Sequence, residues 1–266
     1  MNASTAIERT ARHTSVMLLG VSFAHLLNDA MQAAVPAGFP IFRQSLQLSF
    51  AQIGWIAFTL NMTASILQPL IGRLTDRKPL PILLPAGMLF TLIGMTGLAL
   101  ADRFSLLLAA VTLIGIGSSI LHPESSRVAH MAAGKSKGLA QSIFQVGGNT
   151  GQALAPLLVA FCIAPLGQGG FLWFGALAVA GIAVQWYISK WYRQQTRPGG
   201  QNDRQSAVYG RRFGNGYIAF VFAVLILLLF TKFVYLASMT GYYSFYAMER
   251  FGLPLEQAQV CMFVLQ

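Results

Sequence analysis

The chain has 266 residues, of which 55% are hydrophobic and 10% charged, with a formal net charge of +10 and a mean hydropathy of +0.58. Roughly a quarter of an ordinary soluble domain is charged, so the polar residues that would cover a soluble surface are missing. Two cysteines, Cys162 and Cys261, do not make an extracellular disulfide scaffold, the hydrophobicity excludes a disordered chain, and what remains is an all-α polytopic membrane protein.

No charged residue occurs in 44–72, 79–101, 104–123 or 138–189. A helix needs about 20 residues to cross the hydrocarbon core. The first three gaps therefore hold one crossing each, and the last holds two, joined by a turn at Pro165–Gly170. β-Barrel strands would be about 10 residues long and would alternate apolar with polar, which these runs do not. In chain order the predicted spans are 16–37, 50–71, 80–100, 104–122, 139–162, 170–189 and 216–238, and a further apolar segment starts at Leu255. Arg9 and Arg12 precede the first span, but His25, Asn28 and Asp29 interrupt it before any small-residue cleavage pattern. It reads as a retained helix rather than a cleaved signal.

Orientation follows the basic residues. With the N-terminus cytoplasmic, that side receives Arg9, Arg12, Arg73, Arg77, Lys78, Arg127, Lys135, Lys137, Lys190, Arg193, Arg197, Arg204, Arg211 and Arg212. The opposite side receives only Arg43, Arg103 and Arg250, and Lys232 lies within a span. The net charge is thus a membrane-edge property, dispersed over short loops without interleaved aromatics, and nucleic acid is not an expected partner. Segment 190–213 is polar, basic and turn-rich, and reads as a cytoplasmic linker. The expected organisation is a six-helix bundle over 1–189, the linker over 190–213, and the start of a second bundle over 214–266. Transporters built from two six-helix halves have this plan.

Several polar groups fall inside these spans. Asp29 should face the bundle interior or a water-filled path, because a lone carboxylate in hydrocarbon is costly. It is read either as a proton-coupling site, with His25 one turn earlier on the same face, or as a hydrated group near the outer end of a tilted helix. His122, Glu124 and Arg127 form a second cluster at the end of the fourth span, with Glu124 and Arg127 one turn apart. Glu124 is read as a second proton carrier and His25, His122 and Arg127 as an ion-pair network, the alternative being an ordinary helix-end salt bridge. His25, His122 and Glu124 share no ligand spacing, so no metal is expected.

Gln141, Gln145, Asn149 and Gln152 make a polar stripe on the fifth span, and Asn61 and Gln68 a weaker one on the second. Both are expected to line a substrate path. Gly147 and Gly151, with Pro156 beyond them, allow another helix to approach closely. Lys232 and Tyr235 in the seventh span are candidate path residues. Lys232 could equally pair with Asp29 or Glu124, or snorkel. Gly72, Asp76 and Arg77 lie between the second and third spans and read as a gating loop at the cytoplasmic mouth or as a plain positive-inside loop.

The run Gly72-Arg73-Leu74-Thr75-Asp76-Arg77 resembles the signature loop of the major facilitator superfamily. Pro79 and Leu80 stand where a glycine and further basic residues usually follow. The stretches Ser22–Asp29, Ser118–Arg127 and Gly138–Asn149 are similar to a bacterial inner-membrane drug-exporting branch of that superfamily, and the likeness continues through Lys232–Ser238. It implies a major facilitator fold with a complete N-terminal six-helix bundle and the start of the C-terminal one. It also implies proton-coupled efflux of small drugs, phosphonates included, by a protein that is monomeric when full length. The glycine- and proline-bearing fifth span resembles the superfamily's antiporter motif. Members normally have twelve helices, so this chain reads as the first two-thirds of one. A nutrient or organic-anion symporter and a fragment without transport of its own are the alternatives. No Gly-x-x-x-x-Gly-Lys-Ser/Thr nucleotide loop occurs, no hydrolytic constellation suggests an enzyme, and no cofactor is expected.

Overall fold

The computed structural model describes residues 3–134, 136–196 and 214–265. Among these every regular element is helical: α1 Ala3–Ala37, α2 Phe39–Leu46, α3 Phe50–Arg77, α4 Leu83–Leu100, α5 Phe104–Ala132, α6 Lys137–Leu158, α7 Trp173–Gln195, α8 Asn215–Phe251 and α9 Leu255–Leu265. Five helical stretches are long and apolar enough to cross a membrane, and one of them, Lys137–Gln195, contains both α6 and α7. Each of the four charge-free gaps overlaps one of these stretches, and the fifth, Gly216–Phe251, carries Lys232, Glu249 and Arg250. α1 falls outside that set although it has the length, because its polar residues dilute its hydropathy; it sits inside the bundle against α5, α6 and α7.

Several helices run further than the apolar runs suggest, α8 reaching Phe251 where the expected span ends at 238. α3 continues to Arg77, so Gly72, Asp76 and Arg77 belong to its last turns rather than to a loop. One glycine does not stop a helix whose neighbours favour it; the Lys78 N–H still bonds to the Leu74 carbonyl at 3.1 Å, and Pro79 and Pro81 follow. α5 passes through Pro123 and ends at Ala132, so His122, Glu124 and Arg127 lie well inside it. At the start of α3, Ser49 and Gln52 form a reciprocal capping box, with the Gln52 N–H donating to Ser49 Oγ at 3.2 Å and the Ser49 N–H to Gln52 Oε1 at 2.9 Å.

Pro156 lies inside α6 and offers no N–H to the carbonyl four residues back, that of Gln152. The helix loosens after it into a π turn over Val159–Ile163 and then a 3-10 segment over Ala164–Leu172. Gly167 turns the chain with φ 61°. Gln168 fastens this turn to the rest of the bundle, donating to the carbonyls of Leu98 at 2.8 Å and Ala101 at 2.7 Å.

In the bundle α4 packs on α5 and α7, α3 on α5, and α1 on α6. The last pair is the tightest. A Cβ at Gly147 would collide with the Ser22 carbonyl and one at Gly151 with the Leu26 carbonyl, so both glycines are filled by the backbone of α1. α7 extends to Gln195, six residues beyond the expected start of the linker, and the greater part of that linker lies outside the described residues. α8 is a 37-residue rod whose membrane-length window is 0% buried. It meets the first six crossings only near its C-terminal end. There Glu249 faces Arg43 at 3.6 Å, the Arg43 guanidinium lies 4.1 Å from the Phe50 ring, and Phe50 meets Phe245 edge-on at 5.2 Å. Gln259 of α9 is fully buried and donates to the Ala37 carbonyl at 2.8 Å and to Ser244 Oγ at 3.0 Å.

Candidate functional site

The contact of α1 with α5 and α6 brings Asp29, His25 and His122 together in the interior. Asp29 is 3% exposed, yet its carboxylate is satisfied on both oxygens. Oδ2 accepts from Gln152 Nε2 at 2.8 Å and faces His25 Nε2 at 3.3 Å. Oδ1 accepts from Asn28 Nδ2 at 3.0 Å and faces His122 Nε2 at 3.6 Å. His25 is held on its other side too: Nδ1 lies 2.9 Å from the Phe144 carbonyl, and the imidazole stacks on the Phe144 ring at 4.0 Å. Gly148 makes room for that imidazole, because any Cβ there would strike it.

The tautomer follows from this geometry. A carbonyl only accepts, so Nδ1 of His25 carries a hydrogen, and in a neutral imidazole Nε2 is then a bare lone pair. That lone pair points at a carboxylate oxygen. Two acceptors at 3.3 Å are complementary only when a proton or another cation lies between them. The cluster is therefore a cation-requiring arrangement in the interior of a membrane protein.

A second network lies about one turn further along α5, toward the end that carries Arg73, Arg77 and Lys78. Arg127 reaches α3, where it donates to the Thr75 carbonyl at 2.5 Å and to Thr75 Oγ1 at 3.2 Å and makes a short ion pair with Asp76. Its Nε lies 3.8 Å from Glu124 Oε1. Glu124 is completely buried, and among the described residues neither carboxylate oxygen has a hydrogen-bond partner. Tyr192 of α7 stands beside both, and Gln185, one helical repeat earlier, donates to Ser125 Oγ at 3.3 Å.

The structure thus regroups the polar residues expected from the sequence. His122 does not join Glu124 and Arg127 but goes to Asp29 and His25. Residues two apart on a helix face different sides, and this alone separates His122 from Glu124. Asp29, not Glu124, completes a three-residue set with the two histidines, whose candidate ligand atoms lie within 4.8 Å of one another. Asp76 and Arg127 form one contact between α3 and α5, while Gly72 and Arg77 flank it on α3. Of the amide stripe only Gln152 reaches Asp29. Gln141 accepts from Ser126 Oγ at 3.2 Å, and Gln145 and Asn149 are exposed along the flank of α6. Asn61 donates back to the Ala57 carbonyl of its own helix at 2.8 Å, and Gln68 is half-buried. Lys232 is exposed on α8, 5.9 Å from the Phe233 ring, and pairs with neither Asp29 nor Glu124; Tyr235 is exposed near it.

Asn28, Phe144, Gly148, Gln185 and Tyr192 complete these networks and were not singled out from the sequence. Asn28 adjoins Asp29 in an otherwise apolar run, which is a readable signal. The others are neutral or aromatic residues whose role exists only in the tertiary contact.

Comparison with known proteins places this arrangement in context. The sequence signature of the Major Facilitator Superfamily matches residues 21–265. The fosmidomycin resistance protein of Escherichia coli (strain K12) is 44% identical over 98% of this chain and 64% of its own length. The uncharacterized MFS-type transporter YfnC of Bacillus subtilis (strain 168) is 43% identical over 93% of this chain and 61% of its own. The chain spans less than two thirds of either relative. A crystal structure of a bacterial homolog of the human lysosomal transporter Spinster superposes with a TM-score of 0.75 at 18% identity, over 93% of this chain and 58% of that one, which is a likeness of fold.

Proposed function

The chain belongs to the Major Facilitator Superfamily, and on that premise we propose that it takes part in exporting fosmidomycin-like and other small drugs across the bacterial inner membrane in exchange for protons. The observation that carries the proton half of this reading is the facing pair of His25 Nε2 and Asp29 Oδ2, which closes around one proton. The drug half rests on the 44% identity to a protein named for fosmidomycin resistance.

In this reading the N-terminus and the Arg77–Arg127 end are cytoplasmic, as the basic residues suggest. The proton held among Asp29, His25 and His122 is released to the cytoplasm, drug enters between the first bundle and the one that α8 and α9 begin, and the halves rock about the site. Drug leaves outward and the carboxylate takes up a new proton. One proton moving down about 100 mV supplies roughly 2.3 kcal/mol. Glu124, buried and without hydrogen-bond partners among the described residues, is a second carrier on the cytoplasmic side, and Arg127 divides its charge between it and Asp76. The amides of α6 and α3, with Lys232 and Tyr235, line the drug's route.

Drug uptake into inverted membrane vesicles tests this. The chain is joined to the C-terminal part of the E. coli relative and compared with the same protein carrying Asp29→Asn. Uptake driven by an acid-inside gradient is expected for the first and only background uptake for the second, with both present at equal amounts in the membrane. Equal gradient-driven uptake by the two would refute Asp29 as the coupling group. Uptake independent of the gradient would refute antiport.

A further inference from the structure

We propose that His25, Asp29 and His122 form a binding site for one divalent transition-metal ion, Zn(II) being the best match, between α1 and α5. This goes beyond the transport reading, since it rests on ligand geometry alone. Zn(II) takes imidazole nitrogen and carboxylate oxygen at about 2.0–2.2 Å. Two ligands of a tetrahedral ion are then about 3.3 Å apart. Each imidazole faces its own carboxylate oxygen, His25 Nε2 lying 3.3 Å from Oδ2 and His122 Nε2 3.6 Å from Oδ1, and one ligand atom from each of the three residues lies within 4.8 Å of the others. A small inward turn of the His122 ring closes the set, and that ring has room to move because it is the most exposed of the three.

The surroundings are those of a metal site as well. A ligating histidine usually donates its other N–H to a carbonyl or carboxylate, which fixes the tautomer and aims the lone pair. His25 does this through Nδ1 and the Phe144 carbonyl at 2.9 Å, and stacking on Phe144 fixes the ring plane. The carboxylate is itself oriented by Asn28 and Gln152, which donate at 3.0 and 2.8 Å to its two oxygens. Water completes the shell. The donor set of two imidazoles and a carboxylate suits Zn, Co and Ni rather than Mg or Ca, which prefer all-oxygen shells. The ion and the proton are alternative occupants of the same space.

Co(II) titration of the detergent-solubilised chain, purified without a polyhistidine tag, tests the site by the visible ligand-field absorption of a tetrahedral ion. The expected result is one Co(II) per chain, displaced by Zn(II), with affinity weakened at least about tenfold in His122→Gln and unchanged in His130→Gln, which alters an exposed histidine elsewhere on α5. No tetrahedral band at saturating Co(II), or a band unaltered in both His122→Gln and Asp29→Asn, would overturn the proposal. X-ray absorption of the Zn(II)-loaded native chain gives an answer that does not depend on any variant folding. A first shell with two imidazoles supports the site, and a shell without them refutes it. Either result leaves the vesicle experiment to decide proton coupling separately.

Discussion

A methyl group at Gly151 probes the contact on which the interior site depends. The added carbon would collide with the Leu26 carbonyl oxygen and stand 2.9 Å from the Leu26 carbonyl carbon and 3.0 Å from the Ala30 nitrogen. All three are backbone atoms and cannot rotate away. Normal carbon contacts begin at about 3.5 Å, so α1 must withdraw by roughly an ångström in Gly151→Ala. The same withdrawal stretches the 2.8 Å bond from Gln152 to Asp29 toward the limit of a hydrogen bond. Overpacking of this kind costs about 1–3 kcal/mol, partly offset by the helix preference of alanine over glycine, worth up to about 1 kcal/mol. Gly138→Ala is the control: it lies on the same helix, and nothing stands within 4 Å of its added carbon. At about 2–4 °C per kcal/mol for a chain of this size, Gly151→Ala should unfold at least about 2 °C below Gly138→Ala, with Gly138→Ala at or above the native midpoint. Tryptophan fluorescence during heating in one detergent reads both. Coincident midpoints for the two variants would refute the claim that α1 backbone fills the α6 glycines.

Two further outcomes follow from the same reasoning. Arg127→Ala should destabilise far more than Asp76→Ala, because among the described residues Arg127 is the one cation paired with the fully buried Glu124, whereas the Asp76 side chain is 75% exposed. Stranding a buried charge costs about 3–5 kcal/mol and an exposed pair under about 1 kcal/mol, so thermal midpoints in the reverse order would contradict the assignment. Ser49→Ala should cost about 1 kcal/mol by removing the cap of α3, and Ser49→Asp should restore most of it; equal midpoints for all three would show that the capping box is idle.

The crossings were legible because burying charge in hydrocarbon is costly, and the charge-free gaps therefore mark them. Boundaries were less so. Gly72 reads as the start of a loop, yet Arg73–Arg77 continue the helix, and it is the prolines after Lys78 that end it. The bundle register was partly legible in Gly147 and Gly151, whose spacing announces a close neighbour but not which one. Asp29 and His25 were legible as a pair because they share a helix face. The partnership of His122 with Asp29 joins different helices, and no local spacing encodes it. Glu124 was named, but its depth behind Tyr192 and Gln185 emerges only when α7 packs on its neighbours.

The grip of α8 and α9 on the rest of the molecule is confined to one end, and its strength can be gauged. It consists of one partly exposed ion pair, an arginine over the Phe50 ring, a glutamine that bridges two elements, the buried Phe245 ring and the packing of α9 on α6. An exposed pair contributes at most about 1 kcal/mol and a neutral hydrogen bond about 1 kcal/mol. Burying the Phe245 ring adds about 1.5–3 kcal/mol, and the seam still lacks the backbone-to-glycine interlock that joins α1 to α6. The molecule is therefore unevenly joined: α8 and α9 are fastened at one end, while the membrane-length stretch of α8 leaves a whole helix face open to a further neighbour.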